Sequence, residues 1–273
     1  VGSIRTRNRI CIPPMVIYHI SDETGMVKPQ NVEHYRALAR GGAGLIIQEA
    51  TCISPEGRLS RDQLGIWSDD QIPGLRNITE AVHQEGCPIF VQLHHAGLVS
   101  IGTDTLCPSD YAMDTNKGWK NGHEMTRDDI FRIRDAFIQA AVRAEKAGYD
   151  GVELHGCHGY LLCQFFNNRV NRRTDEYGQP EELTLEIMEG IRASVGKDFV
   201  LGIRLGAFEP TLEDGIAHAK ILQAHGTQFI DVSYGFTAES EPKAPGNPEL
   251  LDVIRAAGEI QKQVSVPVFA VNS

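Results

Sequence analysis

The chain has 273 residues, 41% of them hydrophobic, with a formal net charge of −10 and a pI near 5.5. That length and apolar fraction suffice for one large core, so residues 1–273 are expected to fold as a single domain. With no basic surplus to neutralise phosphates, nucleic acid and anionic membranes are excluded as main partners, and no apolar run approaches the roughly 20 residues that span a bilayer.

The first residues place Arg5, Arg7 and Arg9 close together without an apolar signal core, which predicts a cytoplasmic protein. Short apolar runs then alternate with segments of helical period. In chain order, strands are expected at residues 9–15, 44–50, 88–93, 151–155, 200–205, 229–233 and 267–271, and helices at 31–40, 69–85, 128–147, 180–195, 212–224 and 248–263. Ser68 with Gln71 reads as a capping box, Thr126 and Thr211 as caps, and Gly148 and Gly226 as stops. Residues 97–125, rich in Gly, Thr, Asp and Asn, are long for a loop and are expected to form a lid or small hairpin. The six cysteines, Cys11, Cys52, Cys87, Cys107, Cys157 and Cys163, include no Cys-x-x-Cys pair, which suits reduced thiols better than a zinc or iron–sulfur site.

Six strand–helix units and a seventh strand predict an α/β fold, a (β/α)8 TIM barrel lacking its last helix–strand–helix; a doubly wound open sheet is the rival. Polar residues favour the barrel, because they end five of the strands, at Gln48 and Glu49, Gln92, His155, Arg204 and Ser233, and barrel active sites are assembled from that edge. Val152 and Leu154 alternate with Glu153 and His155, so His155 points opposite to the aliphatic pair at a strand's carboxyl end. A lone histidine there more often caps a carbonyl. His158 and Tyr160 follow in the same loop, and three hydrogen-bonding groups converging on one small molecule make a reaction site.

Six ordered motifs then resemble one family, the flavin mononucleotide enzymes related to old yellow enzyme, which includes ene-reductases and dienoyl reductases. They are Asn8-Arg9-Ile10 with Pro13-Pro14-Met15, the run from Gly44 to Ala50, Gln92-Leu93-His94-His95-Ala96-Gly97, His155-Gly156-Cys157-His158-Gly159-Tyr160, Asn171-Arg172-Arg173 through Gly178, and Arg204. The resemblance implies FMN across the barrel mouth, with Pro14, Met15 and Val16 along one edge, Ala50 against the ring, Gln92 facing the pyrimidine, Arg204 near N1 and the C2 carbonyl, and Asn272 near the phosphate. It further implies NAD(P)H as hydride source and an activated alkene as substrate. His155 and His158 would bind the oxygen of its electron-withdrawing group, Tyr160 would protonate its α-carbon, and Tyr18 would line the pocket.

His94 adjoins His95, so one of the two must point away from the mouth. A metal-dependent hydrolase with His94, His155 and His158 as ligands, completed by Glu49 or Glu153, is a competing reading, as is a truncated barrel that binds ligand without turnover. Asn167-Asn168 and Gln179 depart from the family's usual Ser-Pro and Gly, which bears on substrate fit. The sequence halts at Ser273, before the loop after strand eight that would help hold the phosphate, so a fragment is expected, and its open sheet edges would favour association into a homo-oligomer. Val16 stands where relatives often carry Thr or Cys near the flavin C4 carbonyl, and valine cannot donate. A Val16→Thr exchange is expected to raise the flavin midpoint potential, by the equivalent of one net hydrogen bond of about 0.5–1.5 kcal/mol, as read by reductive titration against a reference dye.

Overall fold

The computed structural model describes residues 1–102, 105–115, 118–236 and 252–271. Its first strand, β1 (Cys11–Ile12), is shorter than the expected 9–15. Pro13 and Pro14 have no N–H to give, so the ladder stops where they begin. There follow α1 (Pro29–Arg40), β2 (Leu45–Cys52), α2 (Ile72–His83) and β3 (Ile89–His94). After a flap of β4 (Thr105–Cys107), β5 (Tyr111–Thr115) and β6 (Gly118–Glu124) come α3 (Arg127–Ala147), β7 (Gly151–Gly156), α4 (Leu161–Phe166) and α5 (Glu182–Ser194). The chain continues through β8 (Val200–Gly206), α6 (Leu212–Ala224), β9 (Ile230–Ser233), α7 (Asp252–Gln261) and β10 (Val268–Ala270).

Seven parallel strands pair in the order β1-β2-β3-β7-β8-β9-β10. Apart from the flap, spatial order equals chain order. A doubly wound sheet reverses direction at a switch point and this one never does, so the topology is that of a nearly closed barrel. Among the described residues β1 and β10 pair with no common strand, and a cleft of about 470 Å³ lies between them, lined by Asn8, Cys11, Leu45, Gln261 and Phe269 among others.

Local chemistry sets the helix ends. Thr126 and Thr211 accept from the backbone N–H of Asp129 and Asp214, completing capping boxes, and Gly148 closes α3 at φ 92°. Ser68 caps a short 3-10 turn (Asp69–Gln71) that leads into α2. The six-residue α4 is wholly buried and was not expected. Of helix 248–263, residues 248–251 lie outside the described residues.

The two faces of the sheet carry separate cores. Ile46, Val91, Val152, Leu154, Ile203 and Val232 face the helices. Leu45, Ile47, Phe90, Val200 and Phe229 face the axis and pack with Cys11 and Phe269 into a plug at the lower end. Phe229 stacks between Phe90 and Phe269, with centroids 5.5 and 5.1 Å away, and occupies the space a side chain at Gly202 would need, 2.1 Å from its missing Cβ. Gln48 and Glu49 do not join the mouth: β2 shifts register between Gln48 and Thr51, the Tyr149 hydroxyl donates to Gln48, and the Tyr35 hydroxyl donates to Glu49 at 3.1 Å.

The flap confirms the expected hairpin, with β5 and β6 antiparallel and β4 added alongside β6. Its neck is clamped from below. Arg173, held by Asp175, donates through Nη1 to the carbonyls of Pro108 (3.0 Å) and Met125 (2.7 Å), while Asn171 donates to those of Phe165 and Tyr177. Because Phe229 is fully buried in a stacked plug, Phe229→Ala is expected to lower the free energy of unfolding in urea by about 3–5 kcal/mol.

Candidate active site

Above the plug, the axis-facing residues turn polar. Phe90 is followed on the same face by Gln92 and His94, Val200 by Gly202 and Arg204, and Phe229 by Asp231 and Ser233. Gln92 Nε2 donates to Glu153 Oε1 at 2.7 Å. Burial, reinforced by Asp231, pushes the Glu153 carboxyl well above the usual range, and its Oε2 has no hydrogen-bond partner among the described residues. Arg204 Nε lies 3.0 Å from Asp231 Oδ2, in a contact too oblique to count as a directed hydrogen bond. Burial opposes the guanidinium charge, but Asp231, with Cys157 and Glu153, holds its pKa above the ordinary value.

The uppermost layer is a row of imidazoles. His94, ending β3, and His155, near the end of β7, meet Nδ1 to Nδ1 at 2.9 Å. His155 Nε2 lies 3.1 Å from His158 Nδ1, and His158 Nε2 lies 2.6 Å from Ser233 Oγ. The loop returns His158 to the strand it just left because His158 and Gly159 both adopt left-handed backbone, at φ 58° and 73°. A Cβ on Gly159 would stand 2.7 Å from the Phe236 carbonyl oxygen, so position 159 admits only glycine comfortably. The His158 N–H donates to the Tyr234 carbonyl and the Leu161 N–H to that of His95, which pins the loop at both ends.

Tyr160 stands edge-on to this row, its ring centroid 4.6 Å from His94, 4.8 Å from His155 and 6.2 Å from His158. Burial, then Tyr18, raises its phenol pKa. Burial lowers the pKa of His94 to about 3, and it pushes His155 well below the imidazole range, with His94 and His158 adding to the push. His158 is driven the same way by the atoms packed behind it and by Arg204, although its outer face is open to solvent, which weakens the effect. The row is therefore neutral at pH 7 and offers N–H groups rather than positive charge.

Of the residues singled out from sequence, His155, His158 and Tyr160 come together at the mouth, with Arg204 and Gln92 in the layer beneath. Pro14 reaches that layer from β1, its carbonyl 3.5 Å from Arg204 Nη1. Met15 is 61% exposed, Val16 half-buried, Ala50 buried and Tyr18 exposed. Asn272 lies outside the described residues. His94 turns inward while His95 turns out, over Gly57, with its Nδ1 accepting from the Gly97 N–H. Asp231 was overlooked in the sequence; its alternation with Ser233 on a barrel strand was the available signal.

These residues fit a flavin. Among the described residues Arg204 Nε makes no directed hydrogen bond and Nη1 reaches the Pro14 carbonyl only at 3.5 Å, leaving capacity for a further buried acceptor. The thioether of Met15 offers an uncovered apolar surface to a planar ring. A metal centre is less well served: His155, Cys157 and His158 present ligand atoms within 4.8 Å of one another, yet Glu49 is bonded to Tyr35 and to the Ile17 N–H, and Glu153 to Gln92.

The model of the NADH:flavin oxidoreductase / NADH oxidase family matches residues 1–273. An NADH oxidase of Thermoanaerobacter brockii is 38% identical over 99% of this chain, which spans 44% of that protein. An NADPH dehydrogenase of Halalkalibacterium halodurans is 36% identical over 90% of the chain and 75% of its own length. The solved old yellow enzyme homologue from Zymomonas mobilis superposes with a TM-score of 0.81 at 28% identity, covering 100% of this chain and 80% of that one. Among the described residues no helix is long and apolar enough to cross a membrane.

The unfolded chain protonates an imidazole near pH 6.5, whereas folded His94 resists protonation down to about 3. Its contribution to stability is thus complete above 6.5 and falls as pH drops from there toward 3. Between pH 7 and pH 5 the loss amounts to about 2 kcal/mol, and a His94→Asn variant escapes it. The difference in urea unfolding free energy between wild type and variant is expected to move by that amount in the variant's favour.

Proposed function

The chain belongs to the NADH:flavin oxidoreductase / NADH oxidase family, and on that premise we propose that it reduces the activated carbon–carbon double bond of a small α,β-unsaturated substrate at the expense of NAD(P)H. An FMN held by Arg204, Gln92 and the Pro14–Val16 edge would supply the hydride carriage between nicotinamide and alkene. The observation that carries the reading is the convergence of His155 Nε2 and His158 Nδ1, 3.1 Å apart, beside Tyr160 and above the buried Arg204.

Two neutral imidazoles can each donate one N–H to a carbonyl or nitro oxygen. Such donors draw electron density from the conjugated alkene and hold the substrate flat over the barrel axis. The Tyr160 hydroxyl then supplies the proton for the α-carbon. A phenol whose pKa burial has raised is a weak acid, but it is adequate for a carbanion-like centre and keeps its proton until one develops. Arg204, charged and only partly partnered, suits the negative charge that reduced flavin carries at N1 and O2, and Gln92 beside it suits the polar edge of the same ring. The net charge of −10 favours uncharged or locally neutralised substrates over polyanions.

The flavin-loaded, full-length protein should develop a long-wavelength charge-transfer band with para-hydroxybenzaldehyde, and His155→Ala with His158→Ala should abolish it. Tyr160→Phe is expected to slow alkene reduction about 10²–10⁴-fold in stopped flow while leaving flavin reduction by NAD(P)H near wild type. Equal rates of NAD(P)H oxidation with and without an enone under anaerobic conditions would defeat the proposal.

A further inference from the structure

We propose that His94 is a positioning residue that fixes the tautomer of His155, donating its Nδ1–H to His155 Nδ1 so that the His155 proton sits on Nε2, the nitrogen facing His158 and the incoming oxygen. This rests on the reading of His155 and His158 as holders of that oxygen. A neutral imidazole carries one N–H and one lone pair. If the His155 proton lay on Nδ1, Nε2 would turn a lone pair toward the ligand oxygen and repel it. Productive binding therefore needs the Nε2–H form, and His155 Nδ1 must then accept. The one group within hydrogen-bond distance of it among the described residues is His94 Nδ1, at 2.9 Å.

A second observation points to the same form. His94 Nε2 is fully buried and has no hydrogen-bond partner among the described residues. A buried lone pair without a donor is tolerated better than a buried N–H without an acceptor, so the surroundings of His94 themselves favour placing its proton on Nδ1. Packing holds the ring there, between His155 and the edge of Tyr160 at 4.6 Å.

His158 is treated differently. Its Nε2 faces Ser233 Oγ at 2.6 Å, and a hydroxyl can donate or accept by rotating. Without ligand, His158 Nδ1 accepts from His155 Nε2–H across 3.1 Å while its own Nε2–H donates to Ser233. When an oxygen enters, His158, whose outer face meets solvent, can release its Nε2 proton to water and take one from water at Nδ1, while the Ser233 hydroxyl turns to donate to the bare Nε2. One imidazole is thus locked by His94, and the other is free to switch.

The test uses the flavin-loaded, full-length protein with 15N-labelled histidine, whose long-range proton–nitrogen correlations distinguish protonated from bare ring nitrogens. Wild type is expected to show His155 protonated at Nε2 and His94 at Nδ1. In His94→Phe the preference of His155 should be lost and the dissociation constant for para-hydroxybenzaldehyde should rise roughly tenfold, about one hydrogen bond's worth. His94→Asn, whose amide N–H can replace Nδ1–H, should restore the tautomer and bring binding to within about threefold of wild type. His94→Leu carries the same expectation as His94→Phe, so a folding failure of one leaves the test standing. A wild-type His155 protonated at Nδ1, or a His155 tautomer that His94→Phe and His94→Leu leave unchanged, would overturn the proposal. Unaltered phenol binding in His155→Ala would instead overturn the ligand-holding role of His155.

Discussion

Inside a closed sheet every second residue faces the axis, and that space must be filled with matter that suits its depth. Here the filling changes character along the strands. Three stacked phenylalanines and their aliphatic neighbours occupy the lower end, where no water competes. The next layer holds Gln92, Glu153, Arg204 and Asp231, which satisfy one another only in part. The imidazoles come last. Each layer is the floor for the one above, so the geometry at the mouth is inherited from the plug. Gly202 makes the inheritance concrete, since its missing side chain is what lets Phe229 reach the axis.

Electrostatics divides the work between the two polar layers. A buried ion pair seldom adds net stability, because desolvating two charges offsets most of their attraction. Arg204 and Asp231 are better understood as a fixed pair of charges beneath the imidazole row. Burial first, and the Arg204 charge after it, holds His155 and His158 below their ordinary pKa. Neutral donors over a cation suit a chemistry in which oxygen must be gripped without being protonated outright, while the charge that electron transfer leaves behind is stabilised elsewhere.

What could be read from the chain followed from how local the governing physics is. The span 212–224 was legible to the residue, because Thr211, Asp214 and the following apolar period act within a few turns. The α4 helix was not, because Leu161–Phe166 is buried on every side and shows no alternation of polar and apolar faces. Pro13 and Pro14 were recognised as a motif without their consequence for strand length. Adjacent His94 and His95 had to diverge, and the alternation that puts His94 on the face of Gln92 was the available signal that His94 is the one turned to the axis. The same holds for Gln48 and Glu49, polar at a strand's end but drawn to tyrosines by a shift in register. His155, His158 and Tyr160 were legible as a group because one loop carries all three.

Arg173 ties together the carbonyls of Pro108 and Met125, which bracket most of the flap. A segment whose two ends are gripped by one guanidinium enters and leaves the barrel at a fixed separation. Tyr111 against Phe236, and Lys120 on the carbonyls of Ser100 and Gly102, then tie its body to the segments that follow β9 and β3. Losing Arg173 would therefore undo more than one turn of backbone, because it would release both ends of a segment on which those loops lean.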